Sequence, residues 1–198
     1  MSLTGNIAVV TGGAAGIGYA IVEALLEQGA SVMIFDLNGI VAAEAAASLS
    51  KQYKGRVASC PGNVTSTSDL DAAFDSAEGL FGPVDVLINN AGFSTIAPLM
   101  HLTEEDWTRV LSVLTTGPFL GTKILANRAV KHGIPANVVN TSSLNYKAAT
   151  NGLAHYCTAK AGVSQFTKVA ASESGSMGFG STQWRQDWYG QISRNRLD

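Results

Sequence analysis

The sequence predicts an α/β fold in which a doubly wound parallel sheet lies between two layers of helices. Short β-branched runs that are apolar on both faces form strand cores at 7–10, 32–35, 84–88 and 138–139. Helical patterns lie between and after them, near 17–28, 39–51, 68–80, 104–132 and 154–171. Strands that are buried on both faces and separated by helices are typical of right-handed crossovers, which make the strands parallel. A glycine-rich turn directly after the first strand is the third indication of this class.

Length and composition favour one globular domain. The chain has 198 residues, of which 46% are hydrophobic, and this is enough for a full core. We see no internal repeat and no linker within 1–172, which we expect to form the domain. The composition changes after about 172, so we expect 173–198 to be an irregular tail.

Charge and cysteine content exclude several classes of partner. The net charge is −2 and the 13 basic residues are scattered, which argues against nucleic acid. The N-terminus has no leader pattern, and no apolar run reaches the length of a membrane span. Cys60 and Cys157 lack the spacing of a metal or redox motif and are interpreted as free thiols. We therefore expect a cytoplasmic protein without a metal site, a nucleic-acid partner or a membrane partner.

Three glycines follow the first strand in the pattern Thr-Gly-x-x-x-Gly-x-Gly. They are Gly12, Gly16 and Gly18, and Ile17 begins the apolar face of the next helix. Glycine permits positive φ and lets the backbone approach a pyrophosphate, while the free amides of a helix start attract anionic oxygens. An ordinary tight turn is the alternative, but it needs fewer glycines. The turn therefore predicts a dinucleotide site at these four residues.

Asp36 is the candidate ligand of the adenosine ribose. It closes the second strand, where its carboxylate can accept hydrogen bonds from both ribose hydroxyls and repel a 2′-phosphate. Neither Ala15 nor Leu37 offers the basic side chain that a 2′-phosphate requires. We therefore expect NAD rather than NADP. A turn aspartate with no cofactor role is the alternative.

A tyrosine and a lysine one helical turn apart form the second candidate site. A tyrosine hydroxyl has an ordinary pKa of about 10, too high for a base at neutral pH unless its anion is stabilised. Lys160 lies one turn after Tyr156 on the same face and supplies the charge that lowers such a pKa. The spacing alone is also common in plain amphipathic helices. His155 precedes the tyrosine, but adjacent helical residues point apart, so we expect it to be solvated rather than a base.

Taken in order, these motifs resemble the short-chain dehydrogenase/reductase family, whose members have a Rossmann-like fold. The resemblance runs from 5 to about 172 and includes an Asn-Asn-Ala-Gly stretch at 89–92 that, in the family, supports the sheet and borders the cofactor. Asn63 stands where the family usually has aspartate against the adenine, and its amide can still form a hydrogen bond there. The resemblance implies further cofactor contacts at Asn63, Val64, Asn90, Ala91 and Gly92.

The resemblance also implies an activity. Members transfer a hydride between NAD and a small-molecule secondary alcohol or ketone. It assigns Tyr156 to move the hydroxyl proton, Ser143 to bind the substrate oxygen, and Lys160 to hold the nicotinamide ribose as well. Ser142 is the neighbouring alternative, but Ser143 has the usual interval to the tyrosine. Relatives dimerise through surfaces that correspond to the helices near 104–132 and 154–171, which implies a homo-oligomer.

One position departs from the family pattern. Relatives usually have asparagine at the place of Leu114, where the amide holds a water that links the lysine to solvent. Leucine cannot hold that water, so the proton relay is interrupted. This favours a second interpretation, a catalytically incompetent protein that still binds nucleotide. An epimerase or dehydratase of the extended branch is disfavoured, because that branch spaces its glycines differently and has a longer substrate region.

The segment 173–198 does not continue the family pattern. Relatives have a strand of the form I-R-V-N-A-V followed by A-P-G, and neither is visible here. Back-translation of 176–191 with permitted synonymous codons, read one base earlier, gives Y-G-I-R-V-N-A-V-A-P-G-L-V-R-T. We therefore predict a truncated C-terminus caused by a base lost between about 173 and 176, with the last strands missing or irregular. A divergent short C-terminus is the alternative.

Overall fold

A computed structural model of the chain, which describes residues 2–176, contains one parallel sheet. Its strands are β1 (Ile7–Thr11), β2 (Ser31–Asp36), β3 (Val57–Pro61), β4 (Val86–Asn89) and β5 (Asn137–Asn140). They lie in the order β3-β2-β1-β4-β5, and every neighbouring pair is parallel. The predicted α/β class with a doubly wound parallel sheet is confirmed. Strand β3 is additional to the four predicted strand cores.

Six α-helices connect and flank the strands. They are α1 (Gly16–Glu27), α2 (Gly39–Ser50), α3 (Thr67–Phe81), α4 (Glu104–Leu111), α5 (Gly117–His132) and α6 (Ala154–Ser176). Two short 3₁₀ turns, Leu99–His101 and Leu144–Tyr146, lie in the connections after β4 and β5.

The helices cover both faces of the sheet because consecutive strand residues point to opposite faces. Val10 of β1 belongs to a buried cluster with Leu26 of α1 and with residues of α2. Its neighbour Val9 belongs to the opposite cluster, with Phe74 of α3 and Leu125 of α5. This explains why the strand cores are apolar without alternation.

Strand order reverses at β1, and this creates a cleft. From β1 the chain first moves outward to β2 and β3, then returns to the other side of β1 to form β4 and β5. The connections leave the carboxyl ends of β1 and β4 in opposite directions, so the backbone opens between them. Ligands of doubly wound sheets bind at such a switch point.

The single helix predicted near 104–132 is interrupted. Ser112–Thr116 forms a π-helical segment between α4 and α5, in which the Gly117 N–H donates to the Ser112 carbonyl. Pro118 follows and has no N–H to offer the Leu114 carbonyl, so the ordinary ladder is broken at this point. The Thr115 hydroxyl also bonds the Leu111 carbonyl. Leu114 lies within this segment and is buried.

Helix α6 extends beyond the predicted end near 171. It continues to Ser176, so the predicted boundary between domain and tail falls inside the helix. The rest of the predicted irregular tail, 177–198, lies outside the described residues. None of the helices in the described part of the chain is long and apolar enough to cross a membrane.

Candidate active site

A cleft of about 1000 Å³ lies at the carboxyl ends of the strands. It brings together nearly all residues that the sequence singled out. Those that line it are Gly12, Ile17, Gly18, Asp36, Asn63, Val64, Asn90, Ala91, Gly92, Ser143, Tyr156 and Lys160. Gly16 is the exception and lies at the first position of α1, beside two lining residues.

The glycine turn packs too closely for side chains. Gly12 and Gly16 have φ of +63° and +55°, in the left-handed region that glycine favours. A Cβ on Gly18 would lie 1.9 Å from the Gly12 carbonyl oxygen, and a Cβ on Gly12 would lie 2.8 Å from the Ala91 Cα. The glycines therefore allow the strand, the turn and the helix start to be in direct contact.

The first turn of α1 offers free amides to the cleft. Its N-cap residue, Ala15, makes no side-chain hydrogen bond, whereas α2, α3 and α4 are capped by Asn38, Ser66 and Thr103. The uncapped end lines the cleft at Ala15 and Ile17. An unpaired helix start with backbone donors and no acidic residue in its first turn fits a pyrophosphate.

Asp36 joins the end of β2 to the glycine turn. Its Oδ2 accepts a hydrogen bond from the Ala14 N–H at 3.1 Å, and its Oδ1 accepts one from the Asn38 N–H at 3.0 Å. Each carboxylate oxygen keeps a further lone pair for a ribose hydroxyl. The turn role considered from the sequence is therefore present, and it leaves the ligand role available.

Among residues 2–176, the residues next to Asp36 along the cleft wall are not basic. Leu37, the next residue, is 76% exposed and lines the cleft. The basic residues that line the cleft are Arg109 and Lys160, which lie beyond β4 and β5 on the opposite side of β1.

Asn63 and Val64 follow β3 and line the same end of the cleft. The Asn63 Oδ1 accepts from the Thr65 N–H at 3.0 Å and from the Thr65 hydroxyl at 2.9 Å. The Asn63 N–H and the Ser66 hydroxyl bond the Asp69 carboxylate and lower its pKa. The departure from aspartate at 63 thus leaves a well-formed turn before α3.

Asn90 clamps the ends of the two central strands together. Its side-chain amide donates to the Thr11 and Gly12 carbonyls at 3.2 and 3.1 Å. The Thr11 hydroxyl oxygen accepts from the Asn90 and Ala91 N–H groups, both at 3.0 Å. The amide satisfies backbone groups where the sheet opens, as the sequence suggested.

A buried polar ladder, missed from the sequence, connects the sheet to α6. The Asn89 amide donates to Asn140 Oδ1 at 2.8 Å, and the Asn140 amide donates to Thr167 Oγ1 at 2.9 Å. All three residues are buried. Asparagines at the ends of neighbouring strands were the available signal, but the partner on α6 follows only from the packing.

Lys160 is held in place at the end of β5. It is 5% exposed, and its Nζ donates to the Thr141 carbonyl. The same Nζ lies 5.7 Å from the centre of the Tyr156 ring. Burial lowers the pKa of Lys160 to about 8. The ammonium keeps two further N–H donors after its bond to the backbone.

The two adjacent serines have different environments. The Ser142 hydroxyl is paired with the Ser164 hydroxyl on α6 at 2.8 Å. The Ser143 Oγ accepts only a local bond from the Asn145 N–H, at 3.2 Å, and caps the 3₁₀ turn Leu144–Tyr146. Both serines line the cleft, and the choice of Ser143 over Ser142 stays a prediction.

Leu114 fills the position where the family resemblance implies asparagine. It is 2% exposed and packs with Val110 of α4 and Ala159 of α6. A Cβ on Gly92 would lie 2.6 Å from the Leu114 Cδ2, so the leucine rests directly on the Gly92 backbone. An apolar side chain occupies this wall of the cleft.

His155 is not solvated, and that expectation was wrong. The side chain is 0% exposed, and its Nε2 lies 2.9 Å from the Thr95 hydroxyl. Adjacent helical residues do point apart, but here the direction away from Tyr156 leads into a protein contact instead of solvent. Sequence spacing could not reveal a partner that is 60 residues away.

Comparison with known proteins agrees with this geometry. The family model described as short chain dehydrogenase matches residues 6–179. The chain is 34% identical over 170 residues to glucose 1-dehydrogenase 2 of Bacillus subtilis, covering 85% of this chain and 66% of that protein. It is 33% identical over 169 residues to an NADP-dependent (R)-specific alcohol dehydrogenase of Lentilactobacillus kefiri, covering 85% and 66%.

A solved structure shares the architecture. The crystal structure of a short chain dehydrogenase from Bacillus anthracis matches with a TM-score of 0.84 at 28% identity, covering 89% of this chain and 70% of that one. The chain spans about two thirds of the length of the curated relatives it matches.

Proposed function

Because the chain belongs to the short-chain dehydrogenase/reductase family, we propose that it binds NAD and oxidises or reduces a secondary alcohol or ketone. The observation that carries the proposal is the cleft itself. An uncapped helix start, a ribose-binding carboxylate and the Ser143, Tyr156 and Lys160 side chains line one continuous surface.

The proposed proton chemistry uses three side chains. A nicotinamide held beside Tyr156 and Lys160 would supply the hydride acceptor for alcohol oxidation, or the hydride donor for ketone reduction. Tyr156 takes the hydroxyl proton in the first direction and returns it in the second. The Ser143 hydroxyl donates to the substrate oxygen and fixes its position.

Lys160 supports the tyrosine electrostatically. With its pKa at about 8, the ammonium is charged at pH 7 and stabilises a tyrosine anion nearby. Its bond to the Thr141 carbonyl fixes the position of Nζ and leaves donors for the nicotinamide ribose.

We propose NAD over NADP on the basis of Asp36 and its surroundings. A carboxylate at the ribose repels a 2′-phosphate, and Leu37 and Ala15 provide no counter-charge. One relative is named as NADP-dependent, so the family likeness does not decide the cofactor, and the proposal of NAD rests on Asp36, Leu37 and Ala15.

Location and assembly are proposed on separate grounds. Cys60 and Cys157 are free thiols, which supports a reducing cytoplasmic location.

Helices α5 and α6 contact each other through the Phe119 and Phe166 rings, whose centres are 6.1 Å apart, and Phe119 remains 44% exposed. This apolar surface supports a homo-oligomer, which light scattering on the purified chain tests.

Calorimetric titration with NAD and NADP, followed by absorbance at the reduced-nicotinamide band with a panel of secondary alcohols, tests the proposal. We expect saturable NAD binding that is tighter than NADP binding, together with NAD-linked turnover that is slow because Leu114 interrupts the proton relay implied by the family resemblance. Absence of binding would reject the function.

Leu114 favours a second candidate, a nucleotide-binding protein without turnover. A buried leucine on the Gly92 backbone cannot hold the water that would connect Lys160 to solvent. Binding of NAD without any absorbance change across the alcohol panel would select this candidate.

A further inference from the structure

A buried histidine outside the proposed catalytic set forms a long-range contact beside the cleft. His155 is 0% exposed, and its Nε2 lies 2.9 Å from the Thr95 hydroxyl. Its Nδ1 is buried and has no hydrogen-bond partner among the described residues. Burial of an imidazole is unfavourable unless it is hydrogen-bonded, so the hydrogen bond to Thr95 offsets part of the cost of burying His155.

Thr95 belongs to the segment 93–98, which follows β4 without regular secondary structure. One backbone hydrogen bond and one close side-chain approach reinforce the histidine bond. The Ala97 N–H donates to the Gly152 carbonyl at 3.0 Å. A Cβ on Gly152, which has φ of +79°, would lie 2.9 Å from Ile96 Cγ2. The segment is therefore held against the residues that lead into α6.

Side chains of this segment alternate between the two sides. Ser94 and Ile96 line the cleft and are exposed, whereas Thr95 between them is half-buried against His155. On α6 the same division occurs between His155 and Tyr156, since Tyr156 lines the cleft. The contact between His155 and Thr95 thus joins the sides of α6 and of the segment 93–98 that face away from the cleft. The neighbouring residues Ser94, Ile96 and Tyr156 line the cleft.

We propose that His155 is a positioning residue whose bond to Thr95 holds the segment 93–98 against α6 and so fixes the width of the cleft at Tyr156. The inference rests on the proposed function only in taking Tyr156 as the proton carrier. We call this contact between His155 and Thr95 the latch, and its strength can be measured without cofactor or turnover.

The chemistry of the pair allows a clean substitution test. A hydroxyl can donate or accept, so the bond forms with either neutral tautomer of the imidazole. Glutamine can place an amide near the position of Nε2, whereas leucine removes the polar group and keeps similar bulk. On the partner side, Thr95→Ser keeps the hydroxyl and Thr95→Val keeps the shape.

Hydrogen exchange of the full chain, read on peptides that cover 93–98, measures the latch. We expect His155→Leu and Thr95→Val to speed exchange there about tenfold, the effect of losing one buried hydrogen bond. His155→Gln and Thr95→Ser should stay near the parent rate. The double variant His155→Leu/Thr95→Val should add little to either single change, because both remove the same bond.

Two outcomes would overturn the proposal. One is unchanged exchange at 93–98 in both His155→Leu and Thr95→Val. The other is acceleration that extends equally to β1 and α1, which would indicate general loss of stability. Thr95→Val guards against a poorly folded His155→Leu, because Thr95 is only half-buried. NADH titration of the same proteins tests the proposed function separately, since failure to bind NADH leaves the exchange result intact.

Discussion

Lys160 shows how burial and function meet in one side chain. It is 5% exposed, and burial lowers its pKa to about 8. Between about pH 8 and the usual lysine value of about 10.4, the unfolded chain holds a proton that the folded chain has lost. Unfolding then takes up a proton, so the contribution of Lys160 to stability rises with pH across this window.

We therefore expect the unfolding free energy of the parent to rise by about 2–3 kcal/mol relative to Lys160→Met between pH 7 and 10. Denaturant unfolding at a series of pH values measures it. Lys168→Met is the matched control, because Lys168 is an exposed lysine on the same helix. A flat difference for Lys160→Met would contradict the burial argument.

Tyr156→Phe should lower any turnover by a factor on the order of 10²–10⁴, the usual contribution of a positioned acid or base. NAD affinity should hardly change, because only the hydroxyl is removed. Steady-state rates and calorimetric titration on the same preparation give both quantities. A variant with the parent's rate would reject Tyr156 as the proton carrier.

Spacing along the chain singled out residues that the structure places around one cleft, although their roles stay predictions. They are Gly12, Gly18, Asp36, Ser143, Tyr156 and Lys160. The burial of His155 was not predicted, because it depends on Thr95, which lies far away in the sequence. The ladder from Asn89 through Asn140 to α6 escaped prediction for the same reason. Sequence patterns predicted the residues that line the cleft better than they predicted the residues that join two elements through long-range hydrogen bonds.

Among the elements, the π-helical segment Ser112–Thr116 is where the structure differs from the single helix predicted near 104–132. The apolar periodicity near 104–132 continues through it, so the pattern predicts one helix. The break comes from Pro118, whose missing N–H acts on the carbonyl four residues earlier. Strand β3 was missed because its sequence, V-A-S-C-P, has no apolar run and forms an edge that is only partly buried.

Leu114→Asn should lower the unfolding free energy and provide a route for the proton between Lys160 and solvent. Placing an amide at a buried apolar position should cost about 2–4 kcal/mol of unfolding free energy. If the resemblance assigns this position correctly, the rate of any NAD-linked turnover should rise. Leu114→Ala is the control, since it removes the apolar contacts without adding an amide. An equal rate in the two variants would argue against a relay at this position.

For the molecule as a whole, the crossover rule predicted the parallel sheet, whereas the strand order and the reversal at β1 that creates the cleft come from the structure. The sequence did not predict which element lies beside the outer edge of β5. The Asn137 and Thr141 N–H groups bond to the chain at β4. By the alternation of a strand, the Val138 and Asn140 N–H groups face the other edge. No strand among residues 2–176 pairs with that edge.

Restoring the second reading frame after about 173, with the family's C-terminal region behind it, should therefore raise the melting temperature. It should also raise NAD-linked activity, because the edge of β5 that no strand among residues 2–176 pairs would gain a neighbouring strand. Scanning calorimetry and the alcohol assay on both chains measure these effects. Transcript codons that are incompatible with the second frame, or an unchanged melting temperature, would count against the frame hypothesis.

We propose that this cleft holds NAD with its adenosine ribose at Asp36. Calorimetric titration of the parent and Asp36→Ala with NAD and NADP tests it most directly. We expect Asp36→Ala to weaken NAD and narrow the gap to NADP, because a ribose acceptor and a repulsive charge are lost together. Glu44→Ala, an exposed carboxylate on α2, should leave both affinities as in the parent. An NAD/NADP affinity ratio that does not change in Asp36→Ala would contradict the account.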